Sequence, residues 1–403
     1  MTQLVSIGTY LPPWQVGGRR VKGPDEDALT MAVAAGRAAD PASIAQRVVL
    51  ISRDFPLLEG GNAAVLLAGL SLPETVPVTE VLGGGPAVLD QIVGGESGTL
   101  VVAADDNDAV VGAAAALFGA GDGGVELTVA SRQTRSLPML VRGADGVRHQ
   151  YVDARLQREI GVRSTLDRLD LPAEPVVAVA GVKASELGRG GDTSQASNDP
   201  APSAAGVLRA IAEAVQSGRS GLVLAVEQSS AAAAVLRLDA SVPAVTRDEA
   251  PARELPKLRT ADGNGLPISL PAYARAFEPK LRWEAAVYDD MAGIDNVPLT
   301  PPRLRVDSAG KLLDYRLEPL PRTGTVYTHT TIRIPVPDLP SPYSLAVVAL
   351  DESQVRVLLK VTGVPAGEAQ IGQRGSVVLR KIATRAGIPD YGYMFWPGKD
   401  AVA

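Results

Sequence analysis

The sequence predicts a layered α/β fold made of two similar halves, followed by an all-β barrel. Three observations carry this. Wholly apolar strands alternate with amphipathic helices through the first 240 residues. One helix–strand unit occurs twice in that stretch. Beyond about residue 275 the pattern changes to short alternating strands split by Pro and Gly.

In chain order, "QLVSIGTY" (3–10) predicts a first strand. "DEDALTMAVAAGRAA" (25–39) predicts an amphipathic helix, with Asp25 as its cap and acids in its first turn. "RVVLIS" (47–52) is fully apolar, as a strand covered on both faces must be, and "GNAAVLLAGL" (61–70) predicts the helix packed on it.

The repeat is the strongest signal. "AVLDQIVGGESGTLVVAADDNDAVVGAAAALF" (87–118) returns about 120 residues later as "GVLRAIAEAVQSGRSGLVLAVEQSSAAAAVLRL" (206–238). Each copy gives a helix, a Ser-Gly loop (Ser97-Gly98, Ser220-Gly221), a buried strand, an acid (Asp105, Glu227) and an Ala-rich strand. Two copies imply two halves related by a pseudo-twofold axis.

Residues 241–275 are Pro-rich, charged and aperiodic, which predicts a linker or surface excursion. After it, "GTVYTHTTIRIPV", "YSLAVVALDE", "VRVLLKVTG" and "RGSVVLRKIATR" predict the strands of a small barrel. The expected division is 1–240 for the α/β domain, 241–279 for the linker, 280–320 for an intervening segment and 321–403 for the barrel.

Composition excludes several function classes. A net charge of −6 and a pI near 5.2 argue against a nucleic-acid backbone as partner. No apolar run reaches the eighteen or so residues of a membrane span, and the N-terminus lacks the pattern of a secretion signal. A cytoplasmic protein with no membrane partner is the expectation. Cysteine is absent, which rules out disulfides, thiolate zinc sites and any thiol nucleophile. Two histidines in 403 residues make a His-based metal site or triad improbable.

The first 240 residues resemble the thiolase superfamily, nearest its 3-hydroxy-3-methylglutaryl-CoA synthase and ketoacyl synthase III branch. "VSIGTYLPPWQV", "DALTMAVAAGRAA" and the helix–strand repeat carry that resemblance. It implies two βαβαβ halves stacked as αβαβα layers. The last 120 residues are similar to a zinc-ribbon plus OB-fold family that accompanies thiolase-like acyl-CoA enzymes, through "PPRLRVDSAGKL", "GTVYTHTTIRIP" and "SPYSLAVVALDE".

The reactive residues of both families are missing. The superfamily's cysteine falls at Leu82, or at Gly83 if the alignment slips by one, and its histidine falls at Ala180 or Gly181. Its later polar loop is represented by "GRGGDTSQASNDP", with Asp192 and Asn198 as the polar candidates. The zinc positions carry Trp283, Ala286, Val306 and Ala309, so no zinc is expected; packing of Trp283 and Val306 is expected to keep the ribbon's outline.

Arg132, Arg135 and Arg142 surround "TRSLPMLVRG" and are the candidates for contacting the phosphates of a CoA thioester. His149 reads as a solvated residue at a helix start and His329 as a strand residue exposed on the barrel or at an interface. Asp105, Asp106 and Asp108 read as a solvated loop without the pattern of a calcium site. "YGYMFWP" (391–397) suits either a docking surface or the closure of the barrel core.

What the resemblance implies is a non-catalytic subunit that pairs with a catalytic thiolase-fold chain in a hetero-oligomer acting on an acyl-CoA. No catalytic residue is then expected in this chain. Two other readings stay open. One is a thiol-independent retro-aldol lyase for a 3-hydroxyacyl-CoA, using Tyr151, Asp105 or Asp192. The other is a CoA or acyl-carrier binding protein without chemistry.

Overall fold

The computed structural model describes residues 2–120, 124–135, 140–143, 147–150, 153, 155, 159, 161–187, 193, 196–227, 230–239, 242–263, 278–288, 297–335, 337, 339–385 and 387–400. The chain divides into two compact units. The first comprises Met1–Pro12, Met31–Ala63 and Thr75–Ala250; the second comprises Pro13–Thr30, Ala64–Glu74 and Pro251–Ala403.

The first half of the α/β part runs β1 (Thr2–Leu11), α1 (Ala28–Ala39), β2 (Arg47–Ser52), α2 (Asn62–Leu70), β3 (Val78–Leu82), α3 (Gly85–Val93), β4 (Thr99–Asp106) and β5 (Val111–Ala120), with the start of α1 and most of α2 counted in the second unit. The second half runs β6 (Val125–Thr134), α4 (Val162–Leu166), β7 (Val176–Ala180), β8 (Ser197–Asp199), α5 (Gly206–Gln216), β9 (Gly221–Val226) and β10 (Ser230–Leu238). A last strand, β11 (Ala244–Glu249), pairs in parallel with β1.

The strand order is β8-β7-β9-β10-β6-β1-β5-β4-β2-β3. Numbered within its own half, each set of five reads third, second, fourth, fifth, first, so the order is a palindrome. The fifth strand is antiparallel to the rest in both halves, and β1 meets β6 antiparallel at Leu4 and Val125. This is the pseudo-twofold that the repeat predicts.

Burial follows from the layering. Every residue of β9 is buried, and so is β4 through Asp105, because parallel strands covered on both faces carry apolar runs. Helices α3 and α5 form a shared middle layer. Helix α3 touches β2 and β4 of its own half and β6, β9 and β10 of the other; α5 touches β7, β8 and β9 as well as β1 and β5. One apolar core therefore joins Ile51, Val101 and Leu89 to Val207, Ile211 and Val223. Ala113–Ala116 are wholly buried; their short side chains let the layers approach closely. Gly8 serves the same end, since a Cβ there would overlap the α1 backbone at Ala35 and Ala39.

The second unit holds a five-stranded barrel: β12 (Thr323–Ile332), β13 (Tyr343–Leu350), β14 (Arg356–Lys360), β15 (Arg374–Arg385) and β16 (Ile388–Pro397). Their order is β14-β13-β12-β15-β16, and a parallel bridge from Val361 to Phe395 brings the ends together. Strand β13 alternates, with Ser344, Ala346, Val348 and Leu350 turned inward.

Several expectations are corrected. Helix α1 is capped by Asp27, whose Oδ1 accepts from the Thr30 amide at 2.9 Å, while its own amide donates to Thr30 Oγ1 at 2.9 Å. Asp25 instead accepts from Thr362 Oγ1 at 2.5 Å and lies 3.6 Å from Arg380, which is itself buried and paired with Glu26 at 3.5 Å. Asp25 and Glu26 are thus drawn to the barrel by a buried guanidinium, an interaction remote in sequence.

"YGYMFWP" is core: Tyr391, Tyr393, Met394, Phe395 and Trp396 are all buried, so no docking surface is formed there. His149 is exposed on a short strand, Arg148–Gln150, paired with Leu140–Arg142. A hairpin bond from the Gly143 amide to the Val147 carbonyl sets that pairing and overrides the expected helix start. His329 is half-buried on β12 rather than exposed.

The 280–320 segment contains a two-stranded ribbon, Glu284–Tyr288 against Tyr315–Pro319. Trp283 is buried, donates from Nε1 to the Pro321 carbonyl at 2.9 Å and packs on Tyr393 with ring centroids 4.9 Å apart. Tyr288 donates to the Arg303 carbonyl and lies under the Arg305 guanidinium. Aromatic and cation–π packing hold the ribbon. Val306 takes no part, being 58% exposed, which corrects its expected role. Ala286 pairs with Leu299 and Ala309 sits on an exposed turn.

Candidate functional site

The carboxyl ends of β2, β3, β4 and β9 open onto one cavity of about 480 Å3 in the first unit. Open α/β sheets bind ligands at such ends because the strands stop and the loops diverge. Arg53, Leu82, Gly83, Asp105, Arg142 and Glu227 line it. The two positions where the resemblance puts the nucleophile are therefore at a cavity mouth, and Leu82 is 75% exposed there.

Helix α3 starts just behind that mouth. Gly84 is its N-cap in an extended conformation, with no side-chain cap, and Pro86 occupies the first turn. The unpaired amides of a helix start attract negative charge. The charge supplied here is Glu227, from the end of β9 in the other half, ion-paired with Arg53. A Cβ on Gly84 would overlap Glu227 Oε1 and press on Arg53 Nη2, so any larger residue there would force the pair to shift. Burial raises the Glu227 carboxyl above its ordinary range, and Arg53 opposes the rise.

The symmetry-related position is filled alike. Asp105, 3% exposed at the end of β4, accepts from the Ala204 and Ala205 amides at 2.7 and 2.9 Å, just ahead of α5. Burial pushes its carboxyl from 3.8 to about 6 against those two hydrogen bonds and Arg209. The expected solvated loop is thus replaced, at Asp105, by a buried anchor. Asp106 ends β4 and its amide donates to Asp54 Oδ2 at 3.1 Å; Asp108 is an exposed loop residue. Among the described residues no group of three or more His, Cys, Asp or Glu side chains is arranged to hold a metal ion.

The remaining candidates scatter. Of the three arginines only Arg142 reaches the cavity, 3.7 Å from Asp54. Arg132 pairs with Asp90, and Arg135 donates to Ser164 Oγ at 2.9 Å and to the Glu159 carbonyl at 3.0 Å. Asn198 donates to the Val179 and Val182 carbonyls and accepts from the Ala184 amide. That leaves it as a backbone tie for the β7 loop. Tyr151 and Asp192 lie outside the described residues.

Ala180 is buried in the core, and Gly181 has φ of +90° with a Cβ direction that runs into the Val226 carbonyl. Neither position has space for an imidazole. Arg53 was not singled out from the sequence, although it is the first charged residue after the apolar run "RVVLIS", where the strand's carboxyl end must lie.

Residues 317–380 match the family described as ChsH2, C-terminal OB-fold domain. Among solved structures the chain is similar to 3-oxoacyl-(acyl-carrier-protein) synthase III from Aquifex aeolicus, at 15% identity and a TM-score of 0.48, over 59% of this chain and 100% of that one. It is also similar to the corresponding synthase from Pseudomonas aeruginosa (17%, TM-score 0.45, 60% and 99% covered). OleA from Xanthomonas campestris is a further likeness (14%, TM-score 0.48, 58% and 98% covered). No curated protein matches the chain. The α/β sheet has two pseudosymmetric halves, evident in the palindromic strand order, and it is followed in the chain by the five-stranded barrel, most of which the OB-fold family match spans. No helix among the described residues is long and apolar enough to cross a membrane.

Proposed function

We propose that the chain is the non-catalytic subunit of a heteromeric thiolase-type assembly, in which a partner thiolase-fold chain makes or breaks a carbon–carbon bond beside an acyl-CoA thioester. One observation carries this: at the start of α3 the chain presents Leu82 and Gly83, and the helix dipole faces the Glu227–Arg53 pair. A thiolate at that place would be stabilised by the helix start; a resident carboxylate takes that role and repels a second anion. Gly181, unable to accept any side chain, removes the base as well.

The cavity and the pseudosymmetric core persist, so the surfaces that shape a thioester site in a partner are retained without the chemistry. The OB-fold barrel supports the same reading, since a match to an OB-fold family spans most of it. The test is co-expression with a thiolase-fold chain that keeps its cysteine and histidine. Stable co-purification, with acyl-CoA turnover only in the mixture, supports the proposal. A chain that stays apart and binds acyl-CoA by itself without turnover would favour a binding protein instead.

A second reading rests on Asp105, a cavity-lining carboxyl whose pKa of about 6 suits a general base in retro-aldol cleavage of a 3-hydroxyacyl-CoA. Its two oxygens are engaged by backbone amides, which weakens it as a base. Cleavage by the isolated chain, abolished in Asp105→Asn, would establish this reading over the first.

A further inference from the structure

The second unit contains a cavity of about 510 Å3, built from parts that neither the repeat nor the nucleophile position involves. Its volume lies within the roughly 300–1,000 Å3 of small-molecule sites. Trp14, Pro256, Pro342, Tyr343, Val364 and Met394 supply the apolar part of a mixed lining. Prolines from the linker and the β12–β13 connection give walls that lose little entropy on binding.

Lys360 and Lys381 line the same cavity. Lys360 lies 5.1 Å from the Tyr343 ring centroid. The acid that also lines the cavity, Asp25, is already engaged by Thr362 Oγ1 at 2.5 Å and by Arg380 at 3.6 Å. The lining charge is therefore net positive, next to a lipophilic body-sized space.

We infer that this cavity binds an organic carboxylate with an apolar body, its head group held by Lys360 and Lys381 and its body laid against Trp14, Tyr343 and Met394. An uncharged apolar ligand would add no counter-charge for the two lysines, whose lining acid, Asp25, is shared with Thr362 and Arg380; a small inorganic anion would leave the apolar part of the lining wet. A carboxylate on a hydrocarbon chain satisfies both. Burial lowers the Lys360 pKa while Asp25 opposes the change, which is the environment that a bound anion would relieve. The inference does not depend on the proposed assembly.

The probe is dansyl-undecanoate, titrated by fluorescence into the full chain, with decanoate and decanol as competitors. Saturable one-to-one binding is expected, displaced by decanoate and at least about tenfold less well by decanol. Lys360→Gln should weaken binding about tenfold, as loss of a charge-assisted contact does, while Lys360→Arg retains most of it. Val364→Trp should abolish binding by filling the cavity, and Lys311→Gln, on the exposed ribbon segment, should change nothing. Absence of saturable binding, decanol competing as well as decanoate, or binding untouched by both Lys360→Gln and Val364→Trp would overturn it.

Discussion

Asp105 and Glu227 occupy equivalent places in the two halves of the first unit, and each reaches across the pseudo-twofold to the start of the other half's central helix. Asp105 holds the amides of Ala204 and Ala205 ahead of α5; Glu227 stands at Gly84 ahead of α3. The exchange ties the halves together polar group to polar group, inside a core that is otherwise alanine, valine and leucine. It also fills the start of α3 with a resident carboxylate, the feature on which the proposed function rests.

Asp105→Ala removes an acceptor from two buried amides and should destabilise the first unit by roughly 2–4 kcal/mol, read by denaturant unfolding. The pH dependence has a definite sign. Folded Asp105 titrates at about 6 and unfolded at 3.8, so the folded chain holds the extra proton between those values and loses stability as pH rises through them. Asp105→Asn should flatten the fall by up to about 3 kcal/mol. An unchanged slope would place the titrating group elsewhere.

The Arg53–Glu227 pair should respond asymmetrically. Arg53 is partly exposed and tolerates loss of its partner, whereas Glu227 is largely buried. Arg53→Ala should therefore cost more stability than Glu227→Gln, and Arg53→Ala with Glu227→Gln should recover part of the loss. Thermal melting of the three variants settles the order.

Leu82→Cys places a thiol at an exposed cavity mouth. It should react fully with an aromatic disulfide reagent, yet slowly near neutral pH, because Glu227 disfavours a thiolate nearby. Adding Glu227→Gln should speed that thiol–disulfide exchange severalfold. The single variant should form no stable acyl-enzyme with acetyl-CoA by intact-mass measurement, since Ala180 and Gly181 supply no imidazole to assist.

Gly181→Ala should be among the most damaging small substitutions in the chain. Its φ of +90° and the Val226 carbonyl in the path of any Cβ predict poor soluble yield or a loss of several kcal/mol, in the range of about 2–4. A variant as stable as the parent would contradict the packing described at the end of β7.

The ribbon at 284–319 should need no metal. Prolonged chelation should leave the melting temperature unchanged, while Trp283→Ala, which removes the contact with Tyr393 and the bond to Pro321, should lower stability by about 3 kcal/mol or more. A chelator-sensitive melting temperature would show that a metal is held after all.

The α/β order, both copies of the repeat and the barrel were legible in the sequence, because apolar runs, Ser-Gly loops and Pro/Gly spacing are local signals. The repeat even marked Asp105 and Glu227 as a pair. What they do was not legible, since each acts on a helix from the opposite half, about a hundred residues away in the case of Asp105. The same applies to Asp25, drawn from a helix cap by Arg380, and to "YGYMFWP", whose burial depends on barrel closure through Val361. Long-range partners leave no periodic trace.

The central claim, that turnover belongs to a companion chain, is tested most directly by assaying the homogeneous isolated protein for cleavage or condensation of short- and long-chain acyl-CoA. The account predicts no release of CoA above the uncatalysed rate, and turnover on adding a cysteine-bearing thiolase-fold partner. Sustained turnover by the isolated chain would contradict it.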